Sequence, residues 1–141
     1  MSEETLRQMG LPIDLGDGLI LRRAETDQDV ERIIELDRRV FADEDEGDSI
    51  APWIRSLTGG NHPTATRSDF YLVEDMAGRQ FVSSMCLIPQ TWAYEGIPFG
   101  VGRPELVATL SEYRRRGLVR AQFEALHADC AARNLPVQAI H

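Results

Sequence analysis

Val107-Ala-Thr-Leu-Ser-Glu-Tyr-Arg-Arg-Arg-Gly-Leu-Val-Arg-Ala-Gln-Phe-Glu-Ala-Leu-His127 combines a short apolar strand, a loop of three arginines and an amphipathic helix. The first N–H groups of a helix have no intrahelical acceptor, and the positive end of the helix dipole lies beside them. Arg114, Arg115 and Arg116 add charge-assisted donors that suit phosphate oxygens. Because a strand precedes the arginines and a helix follows the glycine, this context favours a phosphate site over a merely solvated basic loop.

Within this stretch, Tyr113-Arg-Arg-Arg-Gly-Leu-Val-Arg120 resembles the acetyl-coenzyme A signature of the GNAT N-acetyltransferase superfamily, Arg/Gln-x-x-Gly-x-Gly/Ala. The match reads Arg114-x-x-Gly117-x-Val119, with valine in place of the usual small third residue. The triple arginine and this bulky position are most similar to the Eis-like branch of the superfamily. The pattern of elements around the motif extends the likeness from Gly18 to the end of the chain.

The resemblance implies acetyl-CoA as the co-substrate. Its pyrophosphate would lie against the arginine loop and the start of the helix, and its pantetheine arm against a strand that splays from its neighbour. In an unrelated fold the same strand would simply be a paired core strand. The cofactor-binding residues that the resemblance implies are Val107, Ala108, Thr109, Arg114, Arg115, Arg116, Gly117, Leu118, Val119 and Arg120.

Length and composition are typical of one soluble globular domain. The chain has 141 residues, 43% of them hydrophobic and 27% charged, which is enough to bury a core. We predict a loose lead-in over residues 1–17 and an acyl-CoA-binding domain over 18–141. The net charge of −8 argues against a nucleic-acid partner. It is compatible with a cationic small-molecule amine as the acceptor, although a negative total also simply favours solubility.

Targeting and metal signals are absent from the sequence. No apolar run approaches the length of a membrane span, and the first residues lack the basic and apolar pattern of a secretory signal. Cys86 and Cys130 have no metal-like spacing and fall in apolar stretches, so we predict reduced core thiols and a cytoplasmic protein. The acidic run over residues 42–48 lacks the spacing of a calcium loop and is predicted to be a solvated loop without metal.

The hydrophobic pattern predicts alternating strands and helices. A strand over Leu19–Ala24 leads to a helix capped by Thr26 and Asp29, and a second helix covers Ile50–Leu57. A hairpin over residues 69–88 follows, with Pro89, Pro98 and Gly102-Arg-Pro104 predicted to interrupt its continuation. The last helix is expected to bury Val119, Phe123, Leu126 and Cys130, and a strand starts at Val137. The resemblance implies an α/β (α+β) fold of GNAT type, a mixed and mainly antiparallel sheet flanked by helices.

The resemblance also implies that the chain is an N-terminal fragment that lacks the C-terminal part of the fold. In the resembling family, a further helix and hairpin follow, often with a tyrosine that protonates the leaving thiolate. We expect a sheet edge exposed by such an ending to favour self-association into a homo-oligomer.

The sequence leaves the catalytic residues unassigned. Glu105 is either a general base on the splayed strand or an ordinary strand-edge glutamate. Trp53 is either a wall of the acceptor site, by resemblance, or a core anchor. His62 and His127 are predicted to be solvated residues without a catalytic role.

Three functions remain open at this point. The first is an N-acetyltransferase that moves an acetyl group from acetyl-CoA to a primary amine. The second is a non-catalytic acyl-CoA-binding module used for regulation or assembly. The third, a phosphate-loop protein for another nucleotide, is weakened because neither Gly-x-x-x-x-Gly-Lys nor Gly-x-Gly-x-x-Gly is present.

Overall fold

The computed structural model describes residues 11–42 and 49–139. In these two ranges the chain forms six strands and three α-helices, with short 3-10 turns at Arg67–Asp69 and Ser111–Tyr113. In order, the elements are β1 (Ile13–Gly16), β2 (Leu19–Arg23), α1 (Asp27–Val40), α2 (Ile50–Thr58), β3 (Phe70–Asp75), β4 (Gln80–Tyr94), β5 (Ile97–Thr109), α3 (Leu118–Ala132) and β6 (Val137–Gln138).

All six strands form one sheet in the order β1-β2-β3-β4-β5-β6. The first four pairings are antiparallel, and β5 pairs with β6 in parallel. The mixed and mainly antiparallel sheet that the resemblance implies is therefore confirmed, and the strand predicted to start at Val137 is present as β6. Residues 140–141 and most of the acidic run over residues 42–48 lie outside the described residues. The lead-in predicted over residues 1–17 contains β1.

Helices cover both faces of the sheet. Neighbouring residues of a strand point to opposite faces, and on β4 the hydroxyl of Ser84 contacts Asp37 of α1 while that of Ser83 contacts Gln122 of α3. The helix α1 therefore lies on one face and α3 on the other. This arrangement brings the end of α1 and the start of α3 to the same end of the central strands.

The start of α1 is set by a capping box, as the sequence predicts. The backbone N–H of Asp29 donates to Thr26 Oγ1 at 3.0 Å, and the N–H of Thr26 donates back to Asp29 Oδ2 at 3.3 Å. Burial alone would raise the pKa of Asp29, but hydrogen bonds from Arg22, Glu25 and Thr26 hold it at about 2. The buried face of the helix includes Val30, Ile33 and Ile34.

The prolines and glycine in residues 89–104 do not break the sheet, and the predicted interruptions are wrong. Both β4 and β5 run through them as one long hairpin. The carbonyl of Gly102 accepts from the N–H of Ala139, so the backbone polar groups of Gly102 face β6. Pro98 and Pro104 lie an even number of residues from Gly102 on the same strand, so their nitrogens also face away from β4. A proline costs a ladder bond only where its nitrogen faces the partner strand.

A β-bulge interrupts the ladder between β4 and β5. The register steps from Ser84 opposite Ala108 to Cys86 opposite Glu105, which leaves one extra residue on β5. Leu106, at the bulge, has a φ of +55°, a conformation that side chains other than glycine rarely adopt. The pairing with β6 is limited to Val101 and Gly102. Within the described residues, the edge of β5 from the bulge to Thr109 therefore has no neighbouring strand.

The buried face of α3 is polar as well as apolar. It consists of Leu118, Gln122, Leu126, Asp129 and Cys130, whereas Val119 and Phe123 are only half-buried. Val119 and Phe123 of the predicted stripe pack against the core without being fully buried. Gln122 and Asp129 take inward positions instead, where Gln122 Nε2 donates to Ser83 and Asp129 accepts from Arg23. Cys86 and Cys130 are buried free thiols as predicted, and burial raises the pKa of both.

Candidate functional site

A pocket of about 420 Å³ lies where the end of β5 meets the start of α3, and the end of α1 forms its opposite wall. We call it the arginine pocket. Its lining residues come from these three elements and the loop between β5 and α3: Val40, Phe41, Val107, Thr109, Tyr113, Arg114, Arg115, Gly117, Leu118, Val119 and Arg120.

The arginine pocket contains all of the predicted cofactor-binding residues except Ala108 and Arg116. Ala108 is buried beneath the surface at 1% exposure, because alternate residues of a strand face opposite sides. Arg116 turns back onto its own loop: its guanidinium donates to the Glu112 carbonyl at 3.2 Å and lies 4.7 Å from the Tyr113 ring centroid.

Arg114 and Arg115 are exposed at the mouth of the pocket. Within the part of the chain that the structure describes, neither guanidinium makes a hydrogen bond or an ion pair. The loop that carries them is sharply turned, with φ of +65° at Arg115 and +75° at Gly117. Glycine suits the second position because it lacks the Cβ that disfavours positive φ. Two unpaired cations are therefore held at one opening.

The start of α3 adds backbone donors to the same opening. Its first intrahelical hydrogen bond runs from the N–H of Ala121 to the carbonyl of Gly117, so the N–H groups of Leu118, Val119 and Arg120 precede the helical ladder. The positive end of the helix dipole lies at this point. Although the chain carries a net charge of −8, this part of its surface is electropositive and suited to a phosphate group.

Tyr113 tethers the loop to the hairpin of β3 and β4. Its hydroxyl donates to Asp75 Oδ2 at 2.6 Å and accepts from Gln80 Nε2 at 3.3 Å. The bond raises the pKa of Tyr113 and lowers the pKa of Asp75. Sequence reasoning did not find this tether, because its partners are 38 residues apart and no local pattern connects them.

Glu105 is the candidate general base, and the two histidines are those predicted to have no catalytic role. Glu105 is half-buried, and its Oε1 accepts from Arg103 at 2.5 Å. His62 Nδ1 accepts from the backbone N–H groups of Thr64 and Ala65, so it shapes its own loop. His127 is exposed, as predicted, and its ring meets Phe123 edge to face.

Trp53 is 36% exposed on α2. The interpretation of this residue as a core anchor is therefore wrong, because the buried face of α2 is formed by Ile50, Ala51, Ile54 and Leu57. The alternative, a wall of an acceptor site, stays a prediction.

Asp37 is a fully buried carboxyl group on α1, one turn before Val40 and Phe41 of the arginine pocket. Its Oδ1 accepts from Ser84 Oγ at 3.0 Å, and its Oδ2 has no hydrogen-bond partner in the structure. Burial raises the pKa of Asp37 to about 7, with Ser84 acting in the opposite direction. The sequence pattern of α1 did not distinguish this residue from the exposed acids of the same helix.

In residues 11–42 and 49–139, no three histidine, cysteine or acidic side chains are grouped so that they could hold a metal ion. Among the helices in these ranges, none has the length and apolar character needed to cross a membrane.

The family model described as "Acetyltransferase (GNAT) domain" matches residues 21–141. No curated protein sequence matches the chain significantly.

Solved structures resemble the chain in fold. Glucosamine-6-phosphate N-acetyltransferase from Arabidopsis thaliana has a TM-score of 0.63 at 12% identity, over 87% of this chain and 81% of that one. A predicted acetyltransferase from Clostridium acetobutylicum, solved with acetyl-CoA, has a TM-score of 0.66 at 14% identity, over 87% and 80%. N-myristoyltransferase from Saccharomyces cerevisiae with bound myristoyl-CoA has a TM-score of 0.73 at 10% identity, over 96% of this chain and 32% of that one. At these identities, the likeness shows the fold alone.

Proposed function

Since the chain belongs to the GNAT acetyltransferase family, we propose that it transfers an acetyl group from acetyl-CoA to a primary amine of a small molecule or peptide. The observation that carries this proposal is the arginine pocket. It joins a strand edge that has no neighbouring strand in the described residues to an electropositive helix start, and each half suits a different part of coenzyme A.

The charged half of the pocket would hold the pyrophosphate. Arg114 and Arg115 offer guanidinium groups without partners in the described chain, and the start of α3 offers backbone N–H groups beside them. Charge-assisted hydrogen bonds of this kind are stronger than those between neutral groups. Arg120 also lines the pocket, although it shares its charge with Glu124 at 3.4 Å.

The strand half of the pocket would hold the pantetheine arm. From the bulge to Thr109 the edge of β5 has no neighbour in the described residues, so its backbone groups can pair with an extended ligand as they would with an added strand. Val107, 37% exposed at the bulge, gives this edge an apolar surface against which the arm can lie.

Acetyl transfer at this site would proceed by direct attack. The amine nitrogen forms a bond to the thioester carbonyl carbon, the C–S bond breaks, and the sulfur leaves as a thiolate that takes up a proton. Backbone N–H groups at the bulge would stabilise the charge on the carbonyl oxygen. Glu105 is the candidate to receive the amine proton through water, in competition with its ion pair to Arg103. The negative net charge of the chain favours a cationic amine as acceptor.

The first test is calorimetric titration of the chain with acetyl-CoA. We expect saturable binding that Arg115→Ala weakens about tenfold or more, because a charged hydrogen bond to phosphate is lost. Arg116→Ala is the matched control: it removes the same charge from the next residue, which does not line the pocket, and is expected to change affinity about twofold.

A screen of amines for acetyl-CoA-dependent thiol release then tests turnover. Binding without release for any amine would support the non-catalytic acyl-CoA-binding module instead. A folded, monodisperse chain that does not bind acetyl-CoA contradicts the proposal.

A further inference from the structure

We infer that one apolar face of the hairpin of β4 and β5 is a docking surface for a second copy of this chain, so that the protein forms a weak, reversible homodimer. The inference goes beyond acetyl transfer and does not depend on it. It places self-association on the face of two paired strands, and not on the sheet edge considered from the sequence.

Two cross-strand pairs near the turn of the hairpin form this face. Trp92 lies opposite Phe99, and Tyr94 lies opposite Ile97. Directly opposite residues of antiparallel strands share a face, as do residues two apart on one strand, so the four side chains lie on one side. Trp92, Tyr94 and Ile97 are 42%, 71% and 68% exposed, and Phe99 is half-buried.

The strand β6 extends the same surface. Val137 pairs with Val101 of β5, and Val101 lies two residues from Phe99 and therefore on its side of the sheet. Val137 is 41% exposed. We use the name hairpin face for the five side chains of Trp92, Tyr94, Ile97, Phe99 and Val137.

The hairpin face is almost free of polar and charged groups. The one ring nitrogen on it, Trp92 Nε1, already donates to Gln90 Oε1 at 2.9 Å. In residues 90–100 the single charged side chain is that of Glu95, at the turn. Surfaces that bind membranes or nucleic acids place arginine or lysine beside their apolar residues, and this segment contains neither. The chemistry of the hairpin face therefore matches another apolar protein surface.

The size of the hairpin face matches a partner that presents the same surface. At roughly 150–250 Å² for a large side chain, the exposed fractions leave about 400–500 Å² of apolar area on each copy. A contiguous apolar patch of this size on a soluble protein often marks an interaction site. Two copies packed about a two-fold axis bury the same patch twice, which together with a rim reaches the total of about 1,000 Å² that a weak, specific interface needs.

Net charge determines how this dimer responds to salt. Each copy carries a net charge of −8, so electrostatic repulsion opposes the encounter of two copies. Salt screens that repulsion and should strengthen the dimer. A partner attracted by opposite charge would instead bind more weakly as salt is added.

Sedimentation velocity tests the inference, with wild type at about 1–200 µM chain in about 0.05 M and about 0.5 M sodium chloride. We expect a shift from monomer to dimer within this range, at lower concentrations in the higher salt. Tyr94→Asp should raise the dimer dissociation constant about tenfold or more, because a ring is lost and a carboxylate enters the interface of each copy.

Ala93→Asp is the matched control. It adds the same charge at the neighbouring residue, which is also exposed but lies on the opposite face of the hairpin, and we expect it to change the dissociation constant about twofold or less. Ile97→Asp, on the other strand of the hairpin face, provides a second independent variant. Thermal unfolding of each variant verifies that it is folded.

A wild type that stays monomeric throughout the range overturns the inference, as do equal effects of Tyr94→Asp and Ala93→Asp. Vesicles of phosphatidylcholine test the other occupant: a monomer that sediments with them, and no longer does so as Tyr94→Asp, would assign the hairpin face to a membrane and also overturn the dimer. Neither result bears on the proposed function, which acetyl-CoA binding tests separately.

Discussion

The two ends of α3 use arginine in opposite ways. At its start, Arg114 and Arg115 are exposed and have no partner in the described chain. At its other end, arginines form buried ion pairs: Arg23 binds Asp129 with Nη atoms at 2.6 and 2.8 Å from the two carboxylate oxygens, and Arg133 Nη1 lies 2.6 Å from Asp69. The side chains of both aspartates are 2% exposed.

This difference indicates that the arginine pairs at one end of α3 stabilise the fold, whereas the arginines at the other end are available to bind a ligand. At the far end of α3, the half-buried Arg23 is satisfied by the buried carboxylate of Asp129, and Tyr71, donating to Asp129 with its hydroxyl, completes that site. Burial and the negative charge of Asp129 raise the pKa of Tyr71, so it stays a donor. Arg114 and Arg115 meet no such carboxylate in the described chain, although acidic residues outnumber basic ones 23 to 15 in the full sequence. An anionic ligand would supply the missing partner.

Removing a carboxylate at the buried end should have the largest effect. In Asp129→Ala, Arg23 loses both charge-assisted bonds while it remains half-buried, and we expect the free energy of unfolding to fall by about 3–5 kcal/mol. Urea denaturation measures this change. Glu124→Ala is the control, since it removes an acid from the same helix whose pair with Arg120 is exposed, and we expect a change within about 0.5 kcal/mol. Equal stabilities of the two variants would contradict the contrast between the ends.

Asp37 gives a third case for this comparison, because it is a buried carboxyl group that pairs with a serine hydroxyl and with no arginine in the described residues. Its pKa rises from 3.8 to about 7 on folding, so the folded state binds the proton more tightly than the unfolded state. Its contribution to stability is therefore fully present below pH 3.8, falls as the pH rises, and is lost above about pH 7. The size of the loss is on the order of a few kcal/mol.

The variant Asp37→Asn tests whether the contribution of Asp37 to stability falls as the pH rises. An asparagine oxygen still accepts from Ser84 and never ionises, so we expect Asn to be more stable than wild type at pH 8 and the advantage to shrink at pH 5. Urea denaturation of both proteins at the two pH values gives the difference. A wild type that gains stability relative to the variant as the pH rises would show that Asp37 is ionised at little cost.

Local signals in the sequence predicted those features that depend on neighbouring residues. The capping box of Thr26 and Asp29 lies within four residues, and the arginine loop before Gly117 lies next to the helix whose start it serves. The motif also identified most of the pocket lining. Arg116 is the exception, since the sequence gives three equivalent arginines and only the packing of Tyr113 turns one of them away.

The features that were missed depend on distant contacts. Arg23 and Asp129 are 106 residues apart, and a periodicity argument assigns an aspartate to the solvent face of a helix. The same argument placed Phe123 in the buried stripe and did not include Gln122, which the structure buries. The prolines of β5 were misjudged because the direction of their nitrogens follows from the register with β4 and β6, which local sequence does not contain.

The smallest expected effect concerns the tether at the exposed end of α3. In Tyr113→Phe, the loop loses its bonds to Asp75 and Gln80 while the ring stays in place against Arg116. We expect affinity for acetyl-CoA to fall about two- to threefold and the melting temperature to stay near that of wild type, because the tether is only half-buried and orders the loop instead of the core. Tyr94→Phe, at 71% exposure on the far end of the hairpin, is the control. Calorimetric titration and thermal unfolding measure both effects. If Tyr113→Phe instead lowered stability as much as Asp129→Ala while leaving affinity intact, the start of α3 would be a structural clamp like its end, and the division between a binding end and a folding end would be lost.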